Sequence, residues 1–531
     1  MHKNLFTSGA RAAFAGIACV IMLIACRKDN KTSPDPTTNP VNNPTGSQSQ
    51  YEDSLKYLMY QIMQVTYADG GRTPSRGLPT YYWYSQVPSI NPLDSKYADA
   101  DSLLAAMKTY AINPGTTKPY DHYSFLDRNG VLTNKLFNGI SAQTFAATNK
   151  GDFGFDYGVA LDRSNNAHIY VLYADKNSPA GQLGVTRGWE IISVNGNSNI
   201  NTSDAFLRST YDAIFNSSSV TLGFRRPDNT TFTQTLNTGS YNVNPVVFDS
   251  VLTVTNPTTK VSKKVGYFSM YTFSSVINSN GQATFTRTVL DQLFSKFQAQ
   301  GVTSLIVDLR YNGGGAVSTA EYLDNAIAPA NAAGNLMYNT IYNDKIMAHI
   351  SDVKLTTTTN YAAATSRLTL DNVFFITSGS TASASELTLN NLKPYMTVKL
   401  VGEKTYGKPV GFIDFNISVF DQNHNQKYLA DLYAINFETK NASGVGGYYT
   451  GIDVDAPAVD YVNVAWGNTA DDANLKAIVN YINNGSFTAP GARTATPELD
   501  NLRVGIPALK PVNGFNGMVD YERSRALRLN R

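Results

Sequence analysis

A serine on a turn between a buried strand and a helix can offer its hydroxyl to a carbonyl carbon. The first amides of the helix, which lack partners within it, can then receive the developing oxyanion. The segment Gly379-Ser380-Thr381-Ala382-Ser383-Ala384-Ser385-Glu386 has that setting, after the apolar run Val373-Phe374-Phe375-Ile376-Thr377 and before a helix-capable stretch. A plainer use fits the same residues: Ser383 with Glu386 three positions on makes a capping box. On the local sequence alone, capping is the better-supported reading. Two more segments bear on the choice. Asp308-Leu309-Arg310-Tyr311-Asn312-Gly313-Gly314-Gly315 leaves an apolar run for a glycine loop that can bring a backbone N–H close to a ligand, and Gly402-Glu403-Lys404-Thr405-Tyr406-Gly407-Lys408 follows another apolar run. The five histidines, at 2, 122, 168, 349 and 424, stand in no catalytic-looking context, so a Ser-His-Asp triad has poor support.

The surrounding sequence says what must position these residues. Over 245–484, strand-like runs (Val265-Gly266-Tyr267-Phe268-Ser269-Met270, Ser304-Leu305-Ile306-Val307-Asp308-Leu309, the 373–377 run, Val398-Lys399-Leu400-Val401-Gly402) alternate with amphipathic stretches such as 285–299. That pattern predicts an α/β core with a largely parallel sheet. Residues 151–240 alternate differently: a strand at 168–173, a turn at Ser178-Pro179-Ala180-Gly181, a strand ending in Asn195-Gly196, a helix at 203–215 and a strand at 219–225. Residues 51–150 place Tyr51, Leu55, Leu58, Met59, Ile62 and Met63 at helical spacing and predict a small, mostly helical N-terminal unit. Residues 27–50 are Pro-, Thr- and Asn-rich and read as a tether, and 485–531 form a C-terminal tail.

Residues 1–26 read as a signal peptide. Lys3 and Arg11 precede fourteen uncharged residues, 12–25, too few for a span needing about 20. The run ends Leu23-Ile24-Ala25-Cys26, which resembles a bacterial lipobox. The resemblance implies lipidation of Cys26 and a cell-envelope protein, lipid-anchored at the periplasmic face or cell surface; an ordinary signal peptide or a short anchor helix is the alternative. Both cysteines, Cys19 and Cys26, lie in this leader, so a disulfide framework is excluded.

Within 151–240 the Ser-Pro-Ala…Gly…Ile-Ile…Val-Asn-Gly series resembles a PDZ domain of the bacterial protease type, with Gly188-Trp189-Glu190 where Gly-Asp is usual. Such domains bind peptides by strand addition. The resemblance puts the carboxylate-binding loop near Gly154, Phe155 and Gly158. Further on, the chain resembles the C-terminal processing, or tail-specific, serine peptidases, on the Ser383-Ala384-Ser385-Glu386 and Lys408 segments and on Gly451-Ile452-Asp453-Val454-Asp455. The resemblance implies an α/β fold: a mostly parallel-sheet peptidase core, an inserted or preceding PDZ-like domain, and the helical N-terminal unit. It implies Ser383 as nucleophile, Lys408 twenty-five residues on as its base, and the amides of Gly314 and Ala384 as oxyanion donors. Lys404 is a rival base. The substrates implied are polypeptides with free C-termini.

A lysine serves as base only when neutral. Lowering its pKa from about 10.4 toward 7 costs ~4–5 kcal/mol and demands burial; Tyr406 and Phe412 are candidate walls. Phe412 departs from the family pattern, which puts a lysine-orienting glutamine there; Asp414 and Asn416 are candidate substitutes. The alternative function on the same fold is a non-catalytic protein binding peptides or hydrophobic ligands. Composition narrows the rest. Lysine plus arginine number 43 against 41 acids, a net of +2, which gives no basic excess for a nucleic-acid partner. Two cysteines and five scattered histidines exclude a multi-cysteine metal site, and no cofactor is expected.

Overall fold

The computed structural model describes residues 46–64, 66–67, 77–141, 152–363, 368–487, 504–506 and 517–523. Cys26, the leader and most of the tether lie outside them. The first described element, α1 (Gly46–Gln64), already takes in the end of the expected tether. The next helix used here, α2 (Ala100–Lys108), opens on a reciprocal box between Asp99 and Ser102. The buried Leu55, Met59 and Met63 of α1 and Leu103, Leu104 and Met107 of α2 do not form a core of their own. They join the hydrophobic cluster of the α/β core, so the separate helical unit expected over 51–150 is instead a cover laid on that core. Two amphipathic helices have too little apolar surface to close on each other alone. A short strand, β1 (Phe125–Asp127), binds this cover to the core by backbone pairing.

The next sheet is antiparallel: β2 (Phe155–Leu161), β3 (Ala167–Ala174), β4 (Glu190–Val194), then helix α3 (Asp204–Phe215), β5 (Ser219–Arg225) and β6 (Thr231–Asn237). Asn195 and Gly196 both take positive φ in the tight turn after β4. This unit has its own core, which includes Val159, Ile169, Ile191, Phe206 and Phe224. Helix α3 lies beside β2, with Tyr157 stacked on Phe215 at 5.7 Å.

The core that follows contains two sheets. The first runs β7 (Val246–Thr255), β8 (Ser262–Met270), β9 (Ser304–Asp308), β13 (Asn372–Thr377), β14 (Val398–Gly402) and β17 (Ala456–Pro457). Every pairing in it after β7–β8 is parallel. Its middle strands are buried on both faces, as their unbroken apolar runs require. Helices α4 (Phe285–Ala299) and α7 (Ala473–Asn484) accompany it. The second sheet runs β10 (Gly314–Ala316), β19 (Gly517–Val519), β15 (Val410–Phe420), β16 (Gln426–Asn441), β11 (Leu336–Ile341) and β12 (Thr358–Asn360), with β1 also on β16. Its long pairings are antiparallel. The expectation of a mostly parallel core is corrected: orientation is mixed, because 410–441 fold back on themselves as a long hairpin that no helix crosses. Helices α5 (Val317–Ile327) and α6 (Ala384–Leu392) pack between the sheets' contributions to the main hydrophobic cluster.

The C-terminal segment also does more than trail. Strand β18 (Val504–Ile506) pairs antiparallel with β2, and β19 enters the second core sheet between the glycine loop and β15. Met518, Val519 and Tyr521 are buried there, Tyr521 stacks on Phe137 at 4.1 Å, and Arg523 pairs with Asp520.

One buried cluster ties the antiparallel unit to the core. Arg187, between β3 and β4, binds Asp460 at 2.5 Å and the Tyr311 hydroxyl, and donates to the carbonyls of Val464 and Tyr461 at 2.9 Å. Arg310 meets the same Asp460 at 2.7 Å and Asp308 and Asp472 at 2.8 Å each. The two guanidiniums hold Asp460 well below the usual carboxylate range against the opposing effect of its burial.

Candidate active site

Strand β13 delivers the chain to a turn that leads into α6, and Ser383 is the residue before that helix. Its φ of +61° and ψ of −107° lie outside the regions an L-residue ordinarily occupies. Such backbone costs of order 1–3 kcal/mol and persists where its surroundings over-determine it. Those surroundings are visible. Asn312 of the glycine loop accepts from the Ala382 amide at 3.1 Å and the Ser385 hydroxyl at 3.0 Å, and Thr381 Oγ1 donates to the Leu309 carbonyl at 2.8 Å. Glu386 returns to accept the Ser383 N–H at 2.7 Å, so half of the expected capping box forms. The other half stays loose. Ser383 Oγ lies over the Glu386 amide in capping fashion but makes no hydrogen bond, although it is fully buried.

Lys408 closes the loop between β14 and β15 and is also fully buried. Glu386 brings the two segments together. One carboxylate oxygen accepts the amides of Ser383 and, at 2.8 Å, Lys408; the other accepts Gly407 N–H at 2.8 Å and Thr405 Oγ1 at 2.6 Å. The Tyr406 amide donates to the Thr381 carbonyl at 2.9 Å, and Thr405 and Ile452 bond to each other, so the Gly451-Ile452 segment braces the lysine loop from outside. Burial raises the Glu386 carboxyl, and the four donors oppose that rise.

The Lys408 ammonium position faces rings. Its Nζ is 3.7 Å from the centre of Phe412 and 4.8 Å from that of Tyr123. Burial lowers its pKa well below the ordinary lysine value; Asp121 and Glu386 act against that shift, and Lys108 acts with it. Of the two walls expected, Phe412 is in place. The ring of Tyr123, itself 6.1 Å from that of Tyr406, supplies a second wall. Tyr123 is fixed by its hydroxyl on the Gly407 carbonyl at 2.9 Å and by Asp121, which accepts its amide at 2.9 Å.

Asn416 is exposed and bonds Asp431 at 2.9 Å, and the charge of Asp414 falls on Tyr433 and Tyr521. Lys404, the rival base, is 46% exposed and pairs with Asp453 at 3.1 Å.

Of the two expected oxyanion donors, Ala384 is well placed: it opens α6, where the first amides have no partner in the helix. Gly314 is close by, since a Cβ added to it would lie 3.1 Å from the Ala384 nitrogen and 2.3 Å from the Gly517 carbonyl oxygen. Its φ of +107° and that crowding restrict the site to glycine. Its amide donates to Asn312 Oδ1 at 2.9 Å in this conformation. In the antiparallel unit, the Gly154 amide is likewise committed, to Asp152 at 2.7 Å; Phe155 is buried in the unit's core; and Gly158 pairs with Tyr170 inside the sheet.

Sequence reasoning missed Tyr123 and Asp121, took Asn312 only as part of the glycine loop and gave it no role, and read Glu386 only as a cap. Asn312 holds the glycine loop by donating to the Met270 carbonyl at 2.9 Å, and its place beside three glycines is the signal that could have found it. Tyr123 and Asp121 carry no local signal.

Comparison with known proteins agrees with this core. Residues 264–425 match the model of peptidase family S41. The chloroplastic C-terminal processing peptidase of Tetradesmus obliquus is 27% identical over 299 residues, 52% of this chain and 57% of that one. The chain thus matches little more than half the length of that curated relative. A solved structure described as an S41 protease of Bacteroides fragilis shares the fold at a TM-score of 0.57 and 21% identity, over 84% of this chain and 98% of its own. The segment that carries the glycine loop, Ser383 and Lys408 is the part of the chain that matches the family S41 peptidase model.

Proposed function

We propose that this chain is a serine endopeptidase that cleaves polypeptides near exposed C-terminal segments, with Ser383 as nucleophile and Lys408 as general base. Neutral Lys408 Nζ takes the hydroxyl proton as Ser383 Oγ bonds to the scissile carbonyl carbon. The ammonium then gives that proton to the leaving amine nitrogen as the C–N bond breaks, and a water repeats the sequence on the acyl-enzyme. The Ala384 amide receives the oxyanion; Gly314 joins it when its amide leaves Asn312. The observation that carries this reading is the strained, buried Ser383, whose Oγ has no hydrogen bond, joined through Glu386 to a lysine desolvated by aromatic rings.

The antiparallel unit serves as a PDZ-like receptor that holds the substrate tail on an edge strand. Lipidated Cys26 keeps the enzyme at the cell envelope. The test is cleavage of a peptide with a free C-terminus by the unaltered chain and by Ser383→Ala and Lys408→Ala. Both variants should stay folded and be inactive; full cleavage by Ser383→Ala in a protease-free preparation rejects the proposal.

A further inference from the structure

The sheet β2–β6 is contiguous in sequence, residues 155–237, and has its own hydrophobic core. One strand in it comes from elsewhere. β18, residues 504–506, adds antiparallel to the free side of β2, with Val504 opposite Ala160 and Ile506 opposite Val159. Without β18, β2 is an edge strand beside α3, the arrangement into which an extended peptide adds a strand. We propose that β18 is an intramolecular ligand of this edge, an extended segment of the chain's own tail that competes with incoming peptides for β2. The proposal rests on the tail-capture reading above and names what occupies that surface first.

Three features favour an exchangeable ligand over a fixed strand. β18 is three residues long, and its register on β2 shifts between its two paired positions, a bulge that leaves few ladder bonds. Its neighbour in sequence, β19, is built the opposite way: Met518, Val519 and Tyr521 are buried, the Gly517 amide bonds Gly313 and the Asp520 amide bonds Phe412. The tail is therefore anchored independently of β18, and its loss from β2 leaves the core sheet intact. Finally, ten residues separate Ile506 from Gly517. A tether that short holds β18 near β2 at an effective concentration of about a millimolar, enough to rival a micromolar peptide.

The test uses the full chain carrying Ser383→Ala, so that nothing is cleaved during titration. The variant Val504→Pro with Ile506→Pro removes two backbone donors of β18 and leaves β19 untouched. The probe is a fluorescent peptide of residues 500–510 with a free C-terminal carboxylate, read by anisotropy. Its Kd should be about tenfold or more lower for the proline variant than for the chain with β18 intact. Val504→Gly with Ile506→Gly should shift it the same way by less, and covers the case in which the prolines disturb folding. Equal affinity for all three chains, or weaker binding to the variants, overturns the proposal. The capture reading is judged separately by competition: if unrelated peptides with free C-termini do not displace the bound probe, tail capture fails while the self-pairing stands.

Discussion

Two regions of this molecule bury cations completely and treat them in opposite ways. Arg310 and Arg187 are each 1% exposed, yet Asp308, Asp460 and Asp472 surround them and their charge is retained. Lys408 is 0% exposed, with Phe412 and Tyr123 against its Nζ, and burial drives it toward the neutral amine. Burial alone is therefore not the signal of chemistry. A buried charge with matched partners holds structure together, here the joint between the antiparallel unit and the core; a buried lysine walled by rings is pushed toward the neutral amine, the form that can accept a proton.

The largest test of this contrast removes the amine's ability to be neutral. Lys408→Arg should lower kcat/KM by about 10⁴-fold or more, as Ser383→Ala should, because a guanidinium stays protonated at any working pH. The double variant Ser383→Ala with Lys408→Ala should be little worse than either single change, since the two act as one unit. Peptide hydrolysis rates measure both.

Next comes the arginine side. Arg310→Met strips the buried Asp308 and Asp472 of the cation they share, and Asp460 of one of its two, and should cost roughly 3–5 kcal/mol in denaturant unfolding. The converse holds at the reactive site. Lys408→Met should stabilise the chain by roughly 1–4 kcal/mol at neutral pH while abolishing cleavage. The sign follows from the lowered pKa. Below the ordinary lysine value of 10.5 the unfolded chain binds a proton that the native chain resists, so native stability rises with pH across that window. The advantage of methionine should accordingly shrink as pH approaches 10.5.

How much of this the sequence disclosed follows from how local each feature is. The parallel strands announced themselves as unbroken apolar runs, and α4 as an amphipathic period, because burial on two faces or one writes itself into consecutive residues. Ser383, Lys408 and the glycine loop stand out in the sequence as motifs in a fixed order. The second wall of the lysine pocket does not: Tyr123 arrives from 285 positions upstream of Lys408, within a cover that folds only by lying on the core. Strands β18 and β19 were hidden for the same reason. Three-residue strands lack a period, and their pairing is decided by the edges that other elements leave open.

The smallest effect tests the long-range charge. Asp121 raises the Lys408 pKa against the effect of burial, so Asp121→Asn should move the acid limb of the pH–rate profile to lower pH, by about one unit or less. Asparagine keeps an acceptor for the Tyr123 and Ser124 amides, and its NH2 turns the bond with the Tyr81 hydroxyl from accepted to donated.

The central claim, that a neutral buried lysine activates Ser383, is met most directly by the pH dependence of fluorophosphonate acylation, with a tail peptide present and the labelled residue mapped by mass spectrometry. The expected result is a label on Ser383 alone, at a rate that climbs with pH through one ionisation below the ordinary lysine range and then levels. In Lys408→Met that ionisation should vanish and labelling should be slow throughout. A label on another residue, or the same pH profile with and without Lys408, contradicts the account.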